Sequence, residues 1–228
     1  MSNAAAGRVA AVIPAAGSGT RLGSNLPKAF VELNGLSLLT RSALAMSAVA
    51  DVIVIAAPAE YLEQAQVAVS QVDAEIHIVA GGENRQDSVA AGLHVVPEDV
   101  EFILIHDAAR PLVPIEVPQA VIAELRKGAQ AVIPVLPVTD TIKRVNAAEL
   151  VIETIDRNSL RNVQTPQGFT RAALHSAYAD PSHLATDDAG LMETMGIPVH
   201  TVPGSERAMK ITTQLDLHIA QLLEGASS

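Results

Sequence analysis

Val9-Ala10-Ala11-Val12-Ile13 runs directly into Pro14-Ala15-Ala16-Gly17-Ser18-Gly19-Thr20-Arg21, and Pro27-Lys28 follows. A buried strand that empties into a loop of small residues leaves backbone N–H groups bare at the strand's end. Gly17 and Gly19 permit left-handed turns there and let a ligand come close to the main chain. Successive N–H groups in such a turn make a concave nest for anions. Arg21 and Lys28 add fixed positive charge beside it. The chemistry this suits is the binding of a polyphosphate. The spacing is not that of a P-loop, and GSGTRLG echoes the dinucleotide-binding glycine pattern only loosely.

Five more segments carry chemistry-bearing residues. Gly81-Gly82-Glu83-Asn84-Arg85-Gln86-Asp87-Ser88 is a second glycine loop opening a helix, read either as a site for an anion or base edge or as an ordinary turn and cap. His106-Asp107-Ala108-Ala109-Arg110-Pro111 follows a strand. Side chains alternate there, so His106 and Asp107 face opposite ways. Asp107 at the strand's carboxyl end suits a ribose hydroxyl, a substrate hydroxyl or Mg²⁺, and His106 reads as a packed residue. Thr141, Lys143 and Arg157 lie in or beside a charged hairpin and could face a phosphate or simply solvent. Thr186-Asp187-Asp188 opens a helix running through Met195, with Thr186 as a sufficient cap, and Lys210 sits inside the short run Met209-Lys210-Ile211-Thr212.

The positive charge is unevenly placed. Arg21, Lys28, Arg85, Arg110, Lys143, Arg157 and Lys210 are drawn from only 15 Lys and Arg, in a chain of net charge -10. An acidic protein that gathers cations in its loops fits a cleft for several phosphates. The same net charge opposes nucleic acid and anionic membranes, and aromatic content of 2% argues against base stacking. With 0 Cys there is no disulfide, thiolate metal site or thiol nucleophile. The 7 His show no metal-ligand spacing. No transmembrane stretch or signal-peptide core is present, so a cytoplasmic location is expected. Met1–Gly7 reads as an unpatterned tail.

The elements that must position these loops alternate. Val9–Ile13, Asp51–Ala56, Glu75–Val79, Phe102–His106 and Ala131–Val135 read as strands, continuously apolar and hence buried on both faces. Ser37–Val49, Ala59–Gln71, Gln86–Val95 and Ile115–Lys127 read as helices between them. The expected fold is α/β, a doubly wound, mostly parallel sheet in a single domain over residues 1–228. Ligands in such sheets bind beyond the strands' carboxyl ends, where the glycine loops and Asp107 fall. Residues 137–156 break the rhythm. Val138–Arg144 and Leu150–Ile155, joined through Asn146-Ala147-Ala148, predict a protruding β-arm that packs on something, either its own domain or, as the sharper reading, a partner subunit.

PAAGSGTRLGSNLPK, GGENRQDS, HDAARP, PVTDTIK, TIDRNSL, TPQGF, ATDD and MKIT stand in the order seen in the 2-C-methyl-D-erythritol 4-phosphate cytidylyltransferases of the non-mevalonate isoprenoid pathway. The chain resembles that family from about Ala10 to Thr212. The resemblance implies a Rossmann-like nucleotidyltransferase fold and transfer of CMP from CTP to 2-C-methyl-D-erythritol 4-phosphate, giving 4-diphosphocytidyl-2-C-methyl-D-erythritol and pyrophosphate with Mg²⁺ as cofactor. It implies that CTP lies over Pro14, Ala15, Ala16, Gly17 and Gly19, with Gly82, Glu83, Arg85, Ser88, Asp107 and Ala108 completing the donor site. Arg21, Lys28, Arg157 and Lys210 become the catalytic cations. Asp107, Arg110, Thr141, Arg157, Thr186 and Lys210 become acceptor-binding residues. It also implies a homodimer whose 137–156 arms exchange, so that Thr141 and Arg157 serve the partner's site.

The implied reaction explains the residues that are missing. A phosphate monoester has its second pKa near ~6 and is mostly a dianion at neutral pH. The nucleophile arrives deprotonated, so no Ser-His, Cys-His or paired-carboxylate arrangement is needed. What remains is repulsion between anions and charge on the leaving group, which fixed cations and Mg²⁺ relieve. The nearest alternative is a ribitol 5-phosphate cytidylyltransferase. Sugar-1-phosphate nucleotidyltransferases share only the first motif. An alternative of another class is a catalytically inactive nucleotide-binding regulatory module, but such a protein would be expected to have lost Lys28, Asp107 or Lys210.

Overall fold

The computed structural model describes residues 7–17, 19, 22–23, 26–180 and 185–225. The tail 1–6 and Arg21 lie outside the described residues, so the expectations for them are not addressed by it.

The chain runs β1 (Arg8–Pro14), β2 (Glu32–Leu33), β3 (Leu36–Ser37), α1 (Leu38–Ser47), β4 (Val52–Ala57), α2 (Leu62–Ala68), β5 (Glu75–Ala80), α3 (Arg85–Leu93) and β6 (Val100–Ile105). It continues through α4 (Glu116–Arg126), β7 (Ala131–Pro137), β8 (Ile142–Val145), β9 (Val151–Ile155), β10 (Arg161–Val163), β11 (Gln167–Thr170), α5 (Arg171–Tyr178), α6 (Asp188–Thr194), β12 (Val199–Pro203) and α7 (Gln214–Gly225). Local chemistry sets several helix starts. Ser37, Asn84, Thr170 and Asp187 each accept a hydrogen bond at their helix N-terminus, from the amides of Thr40, Asp87, Ala173 and Gly190. The cap of α6 is therefore Asp187, not Thr186. Its carboxylate also favours the positive end of the helix dipole.

The main sheet has the order β10-β7-β11-β6-β1-β4-β5, with β12 also paired to β7. β1 pairs parallel with β4 and β6, β4 with β5, and β7 with β12. Side chains alternate between two cores. Val9, Ala11 and Ile13 join Leu39, Met46 and Val121 on one face; Ala10 and Val12 join Val89, Leu93 and Leu174 on the other. Burial on both faces is why the central strands read as unbroken apolar runs.

All five strands and four helices expected from the sequence are present, with ends shifted by a few residues. Unforeseen were β10 and β11, which pair antiparallel with β7 and with β6 and β7. Gln167-Gly168-Phe169-Thr170 carries no apolar run to mark it. Gly168 lies where α4 presses on the sheet, and a Cβ there would stand 2.3 Å from Val121 Cγ1. The β2–β3 hairpin was also missed, although its turn, Asn34-Gly35, has positive φ at both residues.

β8 and β9 form a two-stranded sheet of their own where the sequence predicts two paired strands, with Lys143 opposite Thr154 and Arg144 opposite Glu153. Its first strand starts at Ile142, later than expected, and β7 runs on to Pro137. Leu150, Val151 and Ile152 on the ribbon are 64%, 60% and 59% exposed, a concentration of apolar surface that the chain itself leaves uncovered.

Candidate active site

Beyond β1 the chain is drawn toward β4 by the Ala15 amide, which donates to the Ala56 carbonyl at 2.8 Å. The loop then closes on Lys28, whose amide donates to the Gly17 carbonyl at 3.3 Å. Gly19 has φ +67°, and a Cβ on it would lie 2.9 Å from the Lys28 backbone nitrogen. Conformation and space both demand glycine there. Gly17 does not share that demand, contrary to expectation. Its φ is not positive and no atom lies within 4 Å of where its Cβ would be. What sets Gly17 apart is that it lines the cleft.

The second loop is built against the first. A Cβ at Gly81 would stand 2.7 Å from Ala16 Cβ, so the two loops touch through glycine. Asn84 starts α3, and the Ser88 hydroxyl donates to the Asn84 carbonyl at 2.9 Å while accepting the Gly82 amide at 3.2 Å. Ser88 thus braces the loop from inside.

Asp107 stands between them at the end of β6. Its carboxylate, 9% exposed, faces Arg85 Nε at 3.1 Å through Oδ1, and Lys210 Nζ at 2.8 Å and Arg110 Nε at 3.8 Å through Oδ2. Burial opposes its charge, but Arg85, Lys210 and Arg110 outweigh burial and hold it well below the usual carboxylate range. The same balance raises Arg85: burial works against its charge, and Asp188 and Asp107 overcome it. Arg110 is lowered, because burial dominates. The neighbouring His106 is 0% exposed and pushed down to about 4, chiefly by burial. Its ring lies 3.1 Å from Thr165 Oγ1 and 3.3 Å from the Arg110 carbonyl, and the Asp107 amide donates to Thr165 Oγ1 at 3.0 Å. The neutral tautomer with hydrogen on Nε2 satisfies all of these. His106 therefore props the Asp107 turn from the core.

Together these loops wall a cleft of about 490 Å³. Of the residues singled out from sequence, Pro14, Ala15, Ala16, Gly17, Gly19 and Lys28 form one wall and Gly82, Glu83, Arg85 and Ser88 another. Asp107, Ala108 and Lys210 complete it. Lys210 arrives there because the Ile211 amide pairs with the Ala109 carbonyl at 2.9 Å. Arg110 is not among the lining residues. Its guanidinium donates to the Ala208 carbonyl at 2.7 Å and the Val163 carbonyl at 3.3 Å, clamping the segment that carries Lys210. Thr141, Arg157 and Thr186 do not line the cleft either. Arg157 lies beyond the arm and donates to the Thr139 carbonyl.

Sequence reasoning missed Asn84 and Thr212, which also line the cleft, and the interior partners Asp188, Tyr178 and Thr165. Asp188 had a local signal as the second acid of ATDD. Thr165 opens TPQGF but carries no sign there of its place under Asp107, and Tyr178 had no signal, since only the fold brings it near.

One family model, described as "IspD: 2-C-methyl-D-erythritol 4-phosphate cytidylyltransferase", matches residues 9–224. A 2-C-methyl-D-erythritol 4-phosphate cytidylyltransferase from Rhodococcus jostii (strain RHA1) is 50% identical over 224 residues, 96% of this chain and 97% of its own length. Two solved structures are similar throughout. The 4-diphosphocytidyl-2C-methyl-D-erythritol synthase of Anaerococcus prevotii superposes with a TM-score of 0.84 at 28% identity, covering 96% of this chain and 99% of that one. The 2-C-methyl-D-erythritol 4-phosphate cytidylyltransferase of Thermus thermophilus gives 0.76 at 33% identity, covering 95% and 98%. On sequence, length and fold together, the chain belongs to the IspD family of 2-C-methyl-D-erythritol 4-phosphate cytidylyltransferases.

Proposed function

We propose that the cleft transfers CMP from CTP to 2-C-methyl-D-erythritol 4-phosphate and releases pyrophosphate. One observation carries the reading: Lys28, Arg85 and Lys210 converge with Asp107 on the two glycine loops, in a chain of net charge -10. The acceptor's phosphate dianion attacks the α-phosphorus of CTP in line. The bond to the β-phosphate oxygen breaks, and pyrophosphate leaves with its electron pair. The cleft's task is to hold two anions together and to stabilise the charge that develops.

The glycine loop and Lys28, with Arg21 beside them in sequence, take the triphosphate, and Gly82, Glu83 and Ser88 take the cytosine. Lys210 and Asp107 take the acceptor. Asp107 and Glu83 are the carboxylates lining the cleft, and the described residues contain no cluster of three His, Asp or Glu that could enclose a metal. That donor set fits Mg²⁺, a hard cation that keeps waters and phosphate oxygens as ligands and needs one or two carboxylates at most. When bound, Mg²⁺ would neutralise phosphate charge and would be held mainly by phosphate oxygens and waters, since both oxygens of Asp107 already face cations.

Thr141 and Arg157 act in the site of a second copy, since neither lines the cleft of its own chain and the arm that carries Thr141 and leads into Arg157 exposes Leu150, Val151 and Ile152. The protein is then a homodimer through the 137–156 arm. A cytoplasmic location follows from substrates whose charge keeps them from crossing membranes. The test is pyrophosphate release by purified protein with CTP, Mg²⁺ and either methylerythritol phosphate or ribitol 5-phosphate. Turnover with the first alone is expected. Turnover with the second alone would overturn the acceptor, and silence with both would overturn the transfer.

A further inference from the structure

Arg85 is held from behind by two residues that the transfer reaction does not itself touch. Asp188, the first residue of α6, is 0% exposed. Its Oδ1 accepts the Tyr178 hydroxyl of α5 at 2.6 Å, and its Oδ2 lies 2.7 Å from Arg85 Nη2. The same guanidinium donates from Nε to Asp107 Oδ1 at 3.1 Å. One side chain thus bridges a carboxylate in the interior and a carboxylate in the cleft. A buried carboxylate is costly unless paired, and here each oxygen meets a cation or an O–H.

The bridge has a consequence inside the cleft. Arg85 engages Asp107 with one nitrogen only, on Oδ1, which leaves Oδ2 to Lys210 at 2.8 Å. An arginine freed of Asp188 would gain by gripping Asp107 with both prongs, the stronger geometry for this pair. Lys210 would then lose its partner and its place. The start of α6 does not depend on the Asp188 charge. Gln167 holds it independently, donating to Asp187 Oδ2 at 2.7 Å and accepting the Ala189 amide at 3.0 Å.

We propose that Asp188 and Tyr178 are positioning residues for the transfer: they hold Arg85 in its one-pronged pose on Asp107, and so keep Lys210 directed into the cleft. This rests on the reading of the cleft as the site of CMP transfer.

The experiment is steady-state kinetics on Asp188→Asn, alone and in an Arg85→Met background, with melting temperatures and CTP binding by calorimetry. Asn keeps the shape and the oxygen facing Tyr178. The single change should lower kcat/KM for methylerythritol phosphate by about 30- to 100-fold, the scale of a misplaced reacting group, with CTP affinity within about threefold. In the Arg85→Met background the same change should cost less than about twofold, because residues acting through one another are not additive. That double variant leaves no charge buried behind the cleft and should fold, with the activity of Arg85→Met alone. Activity clearly below that of Arg85→Met would show that Asp188 acts by some route other than Arg85 and overturn the proposal. Wild-type kinetics in Asp188→Asn, or a loss that multiplies with that of Arg85→Met, would overturn it too. Should Asp188→Asn fail to fold, Tyr178→Phe keeps every charge and should still lower kcat/KM by about three- to tenfold; no change there sinks the proposal. A wild-type protein that releases no pyrophosphate overturns the reading and the proposal together, whereas an active wild type beside an equally active Asp188→Asn overturns the proposal alone.

Discussion

At the scale of the residue, charge and burial decide the roles. Lys28 holds the first loop through its backbone amide and also lines the cleft, so truncating its side chain leaves the loop's hydrogen bond in place. Lys28→Ala should keep its melting temperature within a few degrees and lose about 10²–10³ in kcat, the usual effect of removing one preorganised charge donor. Rapid-quench turnover checks this, and near-normal turnover would remove Lys28 from the chemistry. His106 makes the opposite prediction, on stability. Its folded pKa of about 4 is below the unfolded value near 6.5, so the unfolded chain takes up the proton first as pH falls. Stability from this group is complete above about pH 6.5 and declines toward pH 4. Between pH 7 and 5 the wild type should lose about 2 kcal/mol more than His106→Gln in urea titrations. Equal losses would show that the ring protonates freely in the folded protein.

At the scale of the element, the loops matter more than the strands that end in them. Gly19→Ala forces an alanine to φ +67° and presses its Cβ on the Lys28 backbone. It should lower the unfolding free energy by about 1–3 kcal/mol, against less than about 1 for Gly17→Ala, where the conformation is ordinary and the space open. Equal melting shifts for the two would contradict that account of the loop. These elements also show what the sequence made legible. The central strands announced themselves because burial on both faces forces unbroken apolar runs. The glycine loops did so because close approach forces small residues. β11 stayed hidden, since Gln167 and Gly168 serve neighbours far along the chain: Asp187 and Ala189 for one, Val121 for the other. For the same reason Arg110 could be recognised as part of a charged cluster but not as the clamp on Ala208. Its carbonyl partners lie 53 and 98 positions away.

At the scale of the whole molecule, the proposed exchange of arms would make the site a property of two chains. If Arg157 serves the partner's cleft, subunits of Lys28→Ala and Arg157→Ala should complement each other. A heterodimer then holds one cleft with both defects and one with neither. Statistical mixing of the two inactive proteins should restore about a quarter of wild-type activity, since half the dimers are mixed and each has one intact cleft. No recovery, under conditions where subunits demonstrably exchange, would place Arg157 in its own chain's site.

The central claim is that clustered cations, without a protein base, drive attack by a phosphate that is already a dianion. The most direct measurement is the pH dependence of kcat/KM for the acceptor, repeated with a phosphonate analogue whose second ionisation occurs at higher pH. The account predicts a rise tracking the acceptor's ionisation near ~6, moving upward by the same interval for the phosphonate. A rise that stays fixed when the acceptor is changed would reveal a base on the protein and contradict the account.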